Sequence, residues 1–121
     1  MLTEKGTLPF GVEFEGQIHR EFELRPQYVR DTVDIFESPD ITARAARNSQ
    51  YFAACLFAGR LVRLGDIPKE EITVDMVLDM RQEDYGEIIN AGGRLDEREA
   101  TFRGKTAPVA AEGAGPTEGG V

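Results

Sequence analysis

The sequence predicts an α+β domain in which a β-hairpin lies on a small bundle of about four helices and a flexible tail follows. Three observations carry this. Apolar residues alternate at Leu8, Phe10, Val12 and Phe14 and again at Ile18, Phe22 and Leu24, the period of two that a half-buried strand requires. From Tyr28 to about Ala100 the apolar spacing becomes helical instead. Beyond Arg103, glycine, alanine and proline fill 11 of the last 18 positions. Such a segment buries too little surface to offset its ordering entropy, so residues 104–121 are expected to be disordered and 1–103 to form one domain.

The hairpin turns at Glu15-Gly16. With a two-residue loop Val12 would face His19, putting the apolar residues of the two strands on opposite faces. A three-residue loop, Phe14-Glu15-Gly16, pairs Val12 with Ile18, Phe10 with Arg20 and Leu8 with Phe22, and gathers them on one face. That register is the expected one.

Pro26 suits the first turn of a helix, and Tyr28 to Glu37 reads as a short amphipathic helix with Val29, Thr32, Val33 and Phe36 on its apolar side. Ser38-Pro39-Asp40 ends it. Asp40 or Thr42 is placed to cap a long helix running to about Leu64, with Ala45, Asn48, Phe52, Cys55 and Leu56 along one stripe and Gly65 as a left-handed C-cap. Thr73 is an N-cap candidate for a short helix holding Val74, Val77, Leu78 and Met80. A last helix starts near Glu83, and despite Ala91-Gly92-Gly93 it is expected to continue to about Ala100.

Charge bounds the partners. The formal charge of -8 disfavours attachment to a phosphate backbone, so no nucleic-acid partner is expected. Residues 40 to 64 carry Arg44, Arg47, Arg60 and Arg63 against Asp40, whereas residues 66 to 99 carry eleven acids against Lys69, Arg81, Arg94 and Arg98. Opposite signs on neighbouring helices favour their packing, or a second copy of the chain. The four arginines read first as a solvated helix surface. The one cysteine, Cys55, cannot form an internal disulfide and fits a reducing compartment. Neither a secretory leader nor an apolar run long enough for a membrane span is visible, so the expectation is a soluble cytoplasmic protein.

Chemistry is sparse. His19 is the single histidine, which excludes a histidine metal cluster, and a Cys/His nucleophile pair would require it to meet Cys55 across the core. His19 is expected on the polar face of the second strand and Cys55 as a small buried hydrophobe. Glu70-Glu71, Glu83-Asp84 and Asp96-Glu97 read as solvated helix faces rather than an acid/base pair. Asp75 to Glu87 lacks the glycine pattern of a calcium loop, and the glycines make no phosphate cradle. No catalytic, cofactor-binding or metal residue is expected, and no enzyme.

The order of segments resembles one family. The strand pair ending in Phe22-Glu23-Leu24-Arg25, the following helix with Asp31 and Asp34, Leu61-Val62-Arg63-Leu64-Gly65-Asp66-Ile67, and Asp84-Tyr85 with Leu95-Asp96-Glu97-Arg98 are together similar to the Mu-like bacteriophage tail assembly chaperones. Glu21 to Arg25 and Arg30-Asp31 stand as counterparts of that family's hairpin-to-helix segment. Pro39 and Gly92-Gly93 depart from its pattern. The resemblance implies a non-enzymatic role in the bacterial host cytoplasm: binding the tape-measure protein, with the tail-tube protein as a further partner, and absence from the finished particle. It also implies a longer frameshifted product in many members. The alternative is a minor structural tail or baseplate component, for which open strand edges would serve self-association. The sequence names no client-binding surface.

Overall fold

The computed structural model of the chain describes residues 1–104. Strands β1 (Glu4–Phe14), β2 (Gln17–Leu24) and β3 (Leu61–Leu64) form one antiparallel sheet in that order. Helices α1 (Val29–Ile35), α2 (Pro39–Arg47) and α3 (Ser49–Arg60) lie between β2 and β3 in sequence. After β3 a 3-10 turn (Lys69–Glu71), α4 (Val74–Leu78) and the long α5 (Gln82–Phe102) complete the domain. The expected α+β class is present, with one more strand than the sequence suggested.

The main core gathers Leu8, Phe22 and Leu24 from the hairpin, Leu61 and Leu64 from β3, and Ile88 from α5. Full burial of each such side chain contributes about 1.5–3 kcal/mol. A second, smaller cluster joins Ile35, Ala45 and Tyr51 across α1, α2 and α3.

The hairpin reaches its one-sided core by a different register from the one expected. Glu15 (φ 51°) and Gly16 (φ 79°) both adopt left-handed backbone, so the turn has two central residues and Phe14 pairs with Gln17, Val12 with His19. Lower down, Gly6 pairs with Phe22 and Glu4 with Leu24. Between them Leu8, Pro9, Phe10 and Gly11 face Arg20 alone, a bulge that inverts which side of β2 matches the even-numbered side of β1. His19 is consequently drawn in to 7% exposure, while Ile18 is left half exposed. The expectation of His19 on a solvated polar face is therefore corrected.

The long helix expected from about residue 40 to Leu64 is three elements. Ser38 precedes Pro39 at the start of α2, in place of a cap at Asp40 or Thr42. Asn48 then breaks the helix: its backbone is extended, and its side-chain oxygen accepts the N–H groups of Gln50 and Tyr51 to cap α3. Leu61 to Leu64 leave the helix to pair with the open edge of β2, which buries Leu61 and Leu64 in the main core. Gly65 does adopt the left-handed conformation (φ 54°), but after a strand, where its N–H donates to the Glu21 carbonyl at 2.6 Å.

Other expectations match. Thr73 caps α4 through its hydroxyl, and α5 runs uninterrupted through Gly92-Gly93. Gly92 lies against Phe57 and Arg60 of α3. Pro26 precedes α1 rather than opening it, and the expected disordered tail, residues 104–121, lies outside the described residues except for Gly104. No helix among the described residues is long and apolar enough to cross a membrane.

Candidate functional site

Two polar clamps hold the sheet to the helices. Asp84, in the first turn of α5, is fully buried and accepts the backbone N–H groups of Phe10 and Gly11 at 2.9 and 3.0 Å. Those are donors that the β1 bulge removes from the ladder, and a buried carboxylate satisfies both. Arg81 lies over the Phe10 ring at 4.0 Å, shielding an aromatic that the hairpin leaves outside its core. The Glu83-Asp84 pair is therefore not a solvated face: Glu83 is exposed and Asp84 is a structural anchor.

The second clamp sits where β2 meets α1. Arg25 forms a two-pronged ion pair with Asp31 at 2.6 and 3.0 Å and donates also to the carbonyls of Pro26 and Gly59. Asp31 further accepts the Tyr28 N–H at 2.7 Å, fixing the start of α1. The Arg25 guanidinium beside it holds the Asp31 carboxyl below its ordinary pKa. Arg60 closes the same corner: its Nε donates to the Arg25 carbonyl, and its own carbonyl accepts the Arg25 N–H, both at 3.0 Å. Arg60 is 5% exposed, so the expectation of four surface arginines is corrected at this position. Burial works against its charge, which Asp96 and Asp31 favour.

This clamp turns α1 around. Its inward side is Asp31 and Ile35, and the residues expected to form its core face point to solvent, with Val29 82%, Val33 51% and Phe36 49% exposed. Phe36 meets Phe52 of α3 at 6.0 Å between ring centroids, extending the apolar strip onto the next helix. The outcome has a physical reason: a bidentate ion pair fixed to the strand end selects which side of a seven-residue helix faces inward. The spacing from Arg25 to Asp31, with Asp31 opposite the Val29–Val33–Phe36 stripe on a helical wheel, was the signal available in the sequence.

A groove of about 240 Å³ opens between α2–α3 and α4–α5, lined among others by Arg44, Tyr51, Ala54, Met80, Gln82 and Tyr85. The Arg44 guanidinium lies 4.2 Å from the Tyr51 ring centroid. Burial pushes the Tyr51 and Tyr85 hydroxyls and the Cys55 thiol up from their ordinary values. Cys55 is partly buried beside the second cluster. His19 instead accepts the Asp66 N–H through Nδ1 at 3.2 Å and packs edge-on against Phe14. Each is committed to a different part of the structure.

Arg44, Arg47 and Arg63 are exposed, as are Glu70, Glu71, Asp96 and Glu97. Among the described residues no ion pair joins the basic 40–64 segment to the acidic 66–99 segment, and no group of three or more His, Cys, Asp or Glu is placed to hold a metal. Two of the pairs that do form link α5 to β1, where Arg94 (2.9 Å) and Arg98 both reach Glu4. Comparison of the chain with protein-family models, with curated proteins and with solved structures finds no match.

Proposed function

We propose that this chain is a non-enzymatic phage or prophage tail assembly chaperone, and that it holds apolar helical segments of a tape-measure protein on the exposed face of α1 until tail-tube subunits enclose them. One observation carries the reading. A folded helix ordinarily turns its apolar side inward, yet α1 turns Val29, Val33 and Phe36 outward and buries a carboxylate. Such a stripe at i, i+4 and i+7 matches the anchors by which amphipathic helices are captured. The segments that resemble the tail chaperones supply the hardware: Phe22 and Leu24 are core residues, and Arg25 and Asp31 form the clamp that sets the orientation of α1. The formal charge of -8 favours solubility of a complex that carries an apolar client.

On this reading the chain acts in the host cytoplasm and leaves before the particle is complete. Co-expression with a tape-measure fragment is the test. The fragment is expected to move from the insoluble to the soluble fraction and to co-purify with the chain; a fragment that stays insoluble and unbound refutes the assignment.

A further inference from the structure

We infer that, without a client, the α1 stripe is covered by α1 of a second copy of this chain, packed antiparallel about a two-fold axis beside Val33. The argument rests on the pattern flanking the stripe. Arg30, Asp34 and Glu37 are exposed and lie at i, i+4 and i+7 along one flank of Val29, Val33 and Phe36. Past Ile35 the chain closes with one tighter turn, in which the Phe36 and Glu37 N–H groups donate to the Val33 and Asp34 carbonyls at 3.1 and 3.2 Å. None of the three charges has an ion-pair partner among the described residues.

Antiparallel helices related by a two-fold bring like flanks together, because an isologous contact places residue i against j and j against i. With the axis between positions 33 and 34, Arg30 of each copy meets Glu37 of the other, twice in the dimer. The two Asp34 carboxylates approach each other across the axis, a repulsion offset by the Arg30 of each copy one turn away and by the two Arg30–Glu37 pairs. The apolar stripes meet in the middle, with Phe52 beside Phe36 widening the contact. A parallel two-fold pairing would instead put the two charged flanks on opposite sides of the contact, where Arg30 has no Glu37 to meet. The flank is thus self-complementary in one orientation only. The contact is small, built on a helix of seven residues with its flanking turns, so the dimer is a weak one that an apolar client helix displaces. This last step rests on the chaperone reading; the dimer itself does not.

Sedimentation equilibrium of the full chain at up to about 1 mM tests it. A monomer–dimer equilibrium is expected, which Val33→Asp abolishes. Arg30→Glu alone and Glu37→Arg alone each weaken dimerisation about tenfold, by replacing two attractions with two repulsions. The two substitutions in one chain restore it, because the swapped charges again meet as opposites. All three positions are exposed, and unchanged thermal unfolding confirms that each variant is folded. A chain that stays monomeric at every concentration, or a double variant as weak as the singles, overturns the inference. A monomer that still solubilises the tape-measure fragment overturns only the dimer, whereas a dimer with no effect on the fragment supports the dimer and refutes the chaperone reading.

Discussion

Asp31 receives two nitrogens of the Arg25 guanidinium, at 2.6 and 3.0 Å, across the joint between the hairpin and α1. The pair does more than link two elements: it decides that a carboxylate, not Val29, Val33 or Phe36, is the inward side of the helix. Breaking it by Asp31→Asn is expected to cost about 1–3 kcal/mol, since one carboxylate serves two guanidinium nitrogens and the Tyr28 N–H.

The same pair makes stability depend on acid. The folded Asp31 carboxyl titrates below its unfolded value, so the folded chain binds fewer protons there than the unfolded chain. Its contribution is complete above about pH 4 and declines as pH falls through the lowered folded value. Urea unfolding from pH 6 downward should show the stability gap between wild type and Asp31→Asn narrowing in acid. A gap that is constant with pH would show that the pair does not contribute as a charge pair.

Asp84 anchors the bulge. Asp84→Ala strands the Phe10 and Gly11 N–H groups and is expected to cost about 2–4 kcal/mol, whereas Asp84→Asn keeps one amide oxygen as acceptor and should cost roughly half as much. Denaturant midpoints for the two variants check the order. Equal, negligible losses would mean that the bulge holds without its carboxylate.

Gly65 and His19 are coupled by contact. A Cβ on Gly65 would overlap the His19 ring, and the backbone there is left-handed (φ 54°). Gly65→Ala should therefore cost about 1–3 kcal/mol. In a His19→Gly background, which removes both the ring and the Cβ that would be overlapped, the steric part disappears and only the backbone part remains, so the two substitutions should be less than additive. Strict additivity in a double-mutant cycle would place the cost in the backbone alone.

Arg60 is buried with its Nη2 atom lacking a hydrogen-bond partner, although Nε serves the Arg25 carbonyl. A flexible apolar residue of similar length fills the space against Phe57 and Gly92 without that desolvation penalty. Arg60→Met is expected to change stability by less than about 1 kcal/mol, far less than Asp84→Ala. A loss above about 3 kcal/mol would instead mark the Arg60–Arg25 bond as a principal support of the corner.

Local signals told in the sequence wherever a residue acts on its own neighbours. The Thr73 cap and the apolar spacing that carries α5 through Gly92-Gly93 both follow from bonds or sterics within a few residues. Features set by distant partners did not tell. The β1 bulge depends on Asp84, more than seventy positions away, and without it a constant register is the natural reading. β3 is a strand because β2 offers it an edge, and Arg60 is buried because Gly92 and the Arg25 carbonyl receive it. The candidate site itself was seen but reversed. Val29, Val33 and Phe36 stand out by periodicity, which identifies an apolar side without saying whether the core or a partner covers it.

Binding of a tape-measure fragment to the α1 stripe is the central claim, and isothermal titration of the purified full chain with a soluble tape-measure helix peptide tests it most directly. Wild type is expected to bind with a negative heat-capacity change, and Val33→Asp and Val29→Asp each to weaken binding at least about tenfold with thermal unfolding unchanged. No binding by the wild-type chain, or equal binding by all three proteins, would contradict it.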